Sequence, residues 1–151
     1  MVHVSLGPEV RRADLADVAR IGAIVHRAFG IYLDRMERPP RPMLRDYQSI
    51  VAGGDVWVCG APIAALVCLG SEEGALLVDI LAVDPEAQGQ GLGRHLLDFA
   101  EAQARDRAFV RVVLYTNAAM HENIALYAHL GYVVRDPPVD GYDRVCLSKD
   151  L

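Results

Sequence analysis

The sequence predicts a mixed α/β fold: a single domain whose central, mostly antiparallel sheet carries helices on both faces. Three observations lead there. Apolar residues recur at helical spacing over residues 15–29 and 92–104. Three strand-like runs joined by short turns fill residues 55–83, which makes them antiparallel neighbours. A strand, a helix and a second strand then follow between residues 75 and 115, a crossover unit whose two strands run parallel.

Residues 8–13 suit a short first strand. Asp14 stands where a helix N-cap belongs, because its carboxylate can accept a backbone N–H of the next turn. Leu15, Val18, Ile21, Ile24, Val25 and Phe29 mark the buried face of the helix it starts, closed by Gly30. Three prolines break residues 31–42, so a loop or short helix is expected there, followed by a helix over 43–52. Strands at 55–59 and 63–69 meet at the Gly60-Ala61-Pro62 turn, and Ser71 to Gly74 turns the chain into a strand at 75–83. A helix over 92–106, a strand at 110–115 and a helix over 123–130 come next. The chain closes with strands at 132–134 and 142–148, separated by a Pro-Pro turn.

Composition narrows the function. The 151 residues make one domain and include 52% hydrophobic and 23% charged side chains, an ordinary globular balance. A net charge of −5 speaks against a nucleic-acid binder, which would need a basic face. Cys59, Cys68 and Cys146 are odd in number and lack CxxC spacing, so they read as apolar fillers in a reducing compartment. No signal-peptide pattern and no apolar run of about 20 residues is present, so the expectation is a cytoplasmic protein with no membrane partner. The five histidines lack ligand spacing with cysteines or acids, and no metal is expected.

The most informative stretch is Gln88-Gly89-Gln90-Gly91-Leu92-Gly93, between an apolar strand and a helix. Glycines there let the backbone curl and approach a ligand, and the helix start offers unpaired N–H groups and a positive dipole end. That combination favours a phosphate-bearing ligand. A P-loop needs a lysine directly after its glycines, whereas Lys149 is the only lysine in the chain. A dinucleotide fingerprint needs GxGxxG and an acid about 20 positions later; Leu96 and the region near residue 110 supply neither.

Val83-Asp-Pro-Glu-Ala-Gln88-Gly-Gln-Gly-Leu-Gly93-Arg-His-Leu-Leu97 resembles the acyl-CoA pyrophosphate loop of the Gcn5-related N-acetyltransferase (GNAT) superfamily. Residues 117–132, with Asn123-Ile-Ala-Leu-Tyr127 and Leu130-Gly131-Tyr132, resemble that family's second signature. The resemblance covers residues 76–148; the first 70 residues agree in element order only. It implies an acetyl-CoA-dependent N-acetyltransferase that passes acetyl directly to a primary amine, on a small molecule or a protein N-terminus. A homodimer is common among such proteins. The alternative is a non-catalytic acyl-CoA-binding sensor or partner module.

The resemblance assigns the cofactor to Gln88, Gly89, Gln90, Gly91, Leu92, Gly93 and Arg94, which hold the pyrophosphate. It assigns the pantetheine arm to the main chain of Leu81, Ala82 and Val83. Tyr127 becomes the general acid, since a leaving thiolate needs a proton and a phenol can supply one. Asn123, one turn earlier, either caps its helix or bonds the CoA arm. Asp79, inside an apolar strand where an unpaired carboxylate would be costly, is either paired or a candidate base that takes a proton directly or through water. Arg35, Arg38, Arg41 and Arg45 alternate with Asp34, Glu37 and Asp46, a pattern that usually neutralises itself in solvent. By the resemblance, residues 29–47 border the acceptor pocket, with Phe29, Tyr32 and Tyr47 helping to shape it.

Overall fold

A computed structural model describes residues 8–135 and 144–151. The chain opens with β1 (Val10–Arg12) and a 3-10 turn at Leu15–Asp17. Asp14 caps that turn by accepting the Ala16 N–H, while the Asp17 carboxylate accepts the Asp14 N–H. Helix α1 (Val18–Gly30) follows and buries Ile21, Ile24, Val25 and Phe29. The helix expected over 43–52 is shorter: α2 runs Tyr47–Ala52, preceded by a 3-10 turn at Arg41–Leu44. Asp46 is the reason. It is extended and its carboxylate accepts the Gln48 and Ser49 N–H groups, so it starts a helix rather than continuing one.

Strands β2 (Val56–Cys59), β3 (Ala65–Glu72) and β4 (Ala75–Val83) form an antiparallel meander. Helix α3 (Leu92–Asp106) crosses to β5 (Arg111–Asn117), then α4 (His121–His129) leads to β6 (Val133–Arg135) and β7 (Arg144–Asp150). The expected Pro-Pro turn lies outside the described residues. Among the described residues seven strands are ordered β1-β2-β3-β4-β5-β7-β6, and only the β4–β5 pair is parallel. Final β7 inserts between β5 and β6.

Alternation along the strands feeds two cores. Val56, Val58, Leu66, Cys68, Ile80 and Ala82 pack against α1 and α2. On the other face Val67, Leu76, Val78, Val112 and Leu114 pack against Leu96, Leu97 and Ala100 of α3 and Tyr127 of α4. The β4 end is tied to α1 by buried Asp84, whose carboxylate accepts from Arg20 at 2.9 Å and Arg27 at 3.2 Å.

The sheet opens in its middle. Leu76, Leu77 and Val78 of β4 face Val112, Val113 and Leu114 of β5, and there the pairing stops. Both strands continue, β4 to Val83 and β5 to Asn117. On its other side β4 pairs Val78 with Leu69 and Ile80 with Cys68, leaving Asp79 as the extra residue of a β-bulge. A bulge bends and twists its strand, which turns β4 away from β5 at this point. Among the described residues, 79–83 therefore have no strand partner on the β5 side, although they remain held by β3.

Candidate active site

The fork opens into a cleft of about 500 Å³. Its walls are β4 at Asp79 to Leu81, β5 at Leu114 to Asn117, α4 at Asn123 and Tyr127, and the 35–45 segment before α2. Because the fork splits the sheet, the cleft is reached by side chains from both faces. Asp79 and Tyr115 stand at its start on the two diverging strands, each one residue past the last β4–β5 pair. Tyr127 belongs to the core on the α3–α4 face.

Beyond Val83 the chain makes a 3-10 turn at Pro85–Ala87 and enters the glycine loop. Gly89 and Gly91 have φ of +86° and +79°, a left-handed conformation that other residues adopt only with strain. Gly91 is the N-cap of α3 and offers no side chain to its N–H groups; the helix's first bond runs from His95 N–H to the Gly91 carbonyl. The N–H groups of Leu92, Gly93 and Arg94 thus precede the helical ladder, at the positive end of a 15-residue helix. A Cβ on Gly89 or Gly91 would have nothing within 4 Å, so the nest is open. Gly93 passes over Val83, and the Gln88 amide reaches toward the Val83 carbonyl at 3.5 Å. The unpaired β4 segment thus leads from the fork straight to an anion nest.

Tyr127 is only 8% exposed and packs edge-on against Tyr132, ring centres 6.2 Å apart. Among the described residues its hydroxyl has no hydrogen-bond partner, although Tyr127 lines the cleft. Burial pushes this phenol above its ordinary value of 10, and the neighbouring Tyr32 pushes the same way. It keeps its proton at neutral pH. Tyr132 is raised too, first by burial and then by Glu101. Their linkage to stability has a definite sign. Below pH 10 both folded and unfolded chains hold these protons, so stability is unaffected. Above it the unfolded phenols ionise while the buried ones do not, and each costs about 1.4 kcal/mol per further pH unit. Urea midpoints measured from pH 8 to 11.5 should be level at first and then fall. A midpoint that rises above pH 10 would contradict this burial.

Asn123 does not cap its helix. Helix α4 starts two residues earlier than the sequence suggests, its N-cap is Met120, and the Asn123 amide lies 3.8 Å from the Met120 sulfur, facing the cleft. Asp79 is paired, one of the two alternatives its sequence setting leaves open. It is not enclosed by apolar neighbours: the bulge turns it out, its side chain is a third exposed, and Arg45 pairs with it at 3.1 Å.

The charged 34–46 segment is not neutralised locally. Arg35 pairs with Glu122 of α4 at 2.8 Å, Arg45 with Asp79, and Asp46 serves as a cap. Phe29 lines the cleft, whereas Tyr32 and Tyr47 are buried beneath it in the α1–α2 core, Tyr47 donating to the Pro42 carbonyl. Three cleft residues go unremarked in the sequence reading. The Tyr115 hydroxyl donates to Glu72, and the Arg144 guanidinium stacks 4.4 Å over the Tyr115 ring. Their only sequence signal is polarity at the end of an apolar strand. The His95 Nε2–H donates to the Pro8 carbonyl at 2.8 Å, and no cluster of potential metal ligands occurs among the described residues. No helix there is long and apolar enough to cross a membrane.

The sheet is thus forked between its parallel strands, with a glycine nest at the end of the fork. The family model described as an acetyltransferase (GNAT) domain matches residues 52–134. The N-acetyltransferase YjgM of Escherichia coli (strain K12) is 32% identical over 138 residues, covering 83% of this chain and 81% of that protein. The chain belongs to the GNAT acetyltransferase family. Among solved structures, the PaiA N-acetyltransferase of Thermoplasma acidophilum in complex with coenzyme A superposes with a TM-score of 0.81 at 15% identity, covering 97% of this chain and all of that one. The ribosomal-protein-S18-alanine N-acetyltransferase of E. coli gives 0.72 at 21% identity, over 94% and 92% of the two chains. At these identities the two structures share the fold.

Proposed function

We propose that this protein transfers acetyl from acetyl-CoA directly to a primary amine of a small molecule or protein N-terminus. The reading is carried by one observation: an unpaired strand segment that joins a buried, partnerless phenol to an open anion nest. Gln88, Gly89, Gln90, Gly91, Leu92, Gly93 and Arg94 hold the pyrophosphate on backbone N–H groups. The main chain of Leu81, Ala82 and Val83 binds the amides of the pantetheine arm as a missing strand would, and Asn123 adds a side-chain contact. The thioester then lies at the fork, between Asp79 and Tyr127.

The amine nitrogen attacks the thioester carbonyl carbon, forming the C–N bond, and the C–S bond breaks with its electron pair on sulfur. Tyr127 gives its proton to that sulfur and is reprotonated from solvent. In going from ammonium to amide the nitrogen loses two protons through Asp79 or a water beside it; one offsets the proton that Tyr127 regains, so one is released overall. Enclosure of the phenol supports the acid role, because a proton held there serves only a group that enters the cleft. Three free, buried cysteines support a cytoplasmic setting.

Calorimetric titration with acetyl-CoA, followed by thiol release over a broad amine panel, tests the reading. Micromolar binding with amine-dependent release is expected. Absence of binding at millimolar acetyl-CoA sinks it, and binding without release from any amine would favour the non-catalytic module.

A further inference from the structure

We infer that the acceptor is a small amine bearing its own carboxylate beside the amine, an α-amino acid or close analogue; this rests on the acetyl-transfer reading above and narrows its acceptor. Among the described residues Arg41 and Arg45 line the cleft beside Asp79. At the fork the amine must approach Asp79, whose carboxylate is already paired with Arg45 at 3.1 Å. A plain amine drawing on Asp79 would leave Arg45, whose side chain is a third exposed, without its counter-charge. An amine with an adjacent carboxylate replaces what it removes: its ammonium meets Asp79 while its carboxylate meets Arg45, with Arg41 alongside on the same wall. The guanidinium fork matches a carboxylate in two parallel hydrogen bonds. A second cation, Arg144, is held over the Tyr115 ring on the opposite wall, and the Tyr115 hydroxyl in turn holds Glu72. The peptide bond that follows a protein's N-terminal amine is neutral and would leave Arg45 unmatched.

The transfer balances as before. The acceptor nitrogen loses two protons through Asp79 or a water beside it and takes the acetyl carbon, CoA leaves as the thiol with the Tyr127 proton, Tyr127 regains one, and the acceptor's carboxylate is unchanged.

The test compares each common α-amino acid with its amide and its decarboxylated amine, by thiol release from acetyl-CoA and by calorimetry on the CoA-saturated protein. In the best triplet the free carboxylate should raise kcat/KM at least about tenfold over both partners, the size of one good charge-assisted contact. Arg45→Gln should erase that ratio, and Arg41→Gln should reduce it, with acetyl-CoA affinity kept in both. Amides or decarboxylated amines that match or exceed the acids would overturn the inference. So would arginine variants whose loss falls on acetyl-CoA affinity, since the cations would then serve the donor. Acetyl-CoA binding with no response to any amino acid overturns the acceptor assignment alone, whereas failure of acetyl-CoA to bind overturns the reading beneath it.

Discussion

Replacing Tyr127 by Phe should lower kcat by about 10²- to 10⁴-fold, the range of a lost general acid, while the Kd for acetyl-CoA stays within about twofold. The substitution is mild for the fold. The hydroxyl has no hydrogen-bond partner among the described residues, so removing it strands no other group. The ring keeps its edge contact with Tyr132. Thermal unfolding should move little. Single-turnover rates and calorimetry on the same preparations separate the chemical step from binding. A variant as fast as the parent would take Tyr127 out of the chemistry, and a variant that loses acetyl-CoA affinity instead would make it a binding residue.

Gly91→Asp should weaken acetyl-CoA binding about a hundredfold, and Gly91→Asn should weaken it far less. Gly91 sits at φ +79°, where both Asn and Asp are tolerated better than other side chains, and a Cβ there meets nothing within 4 Å. The two variants therefore carry similar backbone strain, about 1–2 kcal/mol. They differ in charge. A carboxylate roughly 5 Å from a pyrophosphate costs about 3 kcal/mol at an effective dielectric of about 20. The same carboxylate at the N-cap favours the helix itself, so Gly91→Asp should fold at least as well as Gly91→Asn. Equal affinities in the two variants would mean that the nest does not hold the donor's phosphates.

These two residues were legible in the sequence because each belongs to a local pattern. The glycine loop is set by backbone conformation over six consecutive residues, and Tyr127 by its place on a short helix before Gly131. The order of strands and helices was legible for the same reason, since periods of 2 and 3.6 are read within one element. The fork was not. It depends on where β4 stops pairing with β5, strands separated by α3, and a bulge at Asp79 leaves no mark on the run of apolar residues around it. Which group pairs with Asp79 was not legible for the same cause. Its partner Arg45 lies 34 residues away, in a segment whose charges look self-sufficient until Glu122 and Asp79 claim two of its arginines. The 43–52 helix was overextended because apolar spacing continued past Asp46, whose capping carboxylate overrides it.

The central claim is that the fork holds the donor. A crystal structure with CoA bound measures it most directly. The account predicts the pyrophosphate on the N–H groups of residues 88–94, the pantetheine amides paired with the β4 main chain at 81–83, and the sulfur within about 3.5 Å of the Tyr127 hydroxyl, hydrogen-bond reach for a thiol. CoA bound away from the fork, or a sulfur directed away from Tyr127 with the phosphates in place, would contradict it.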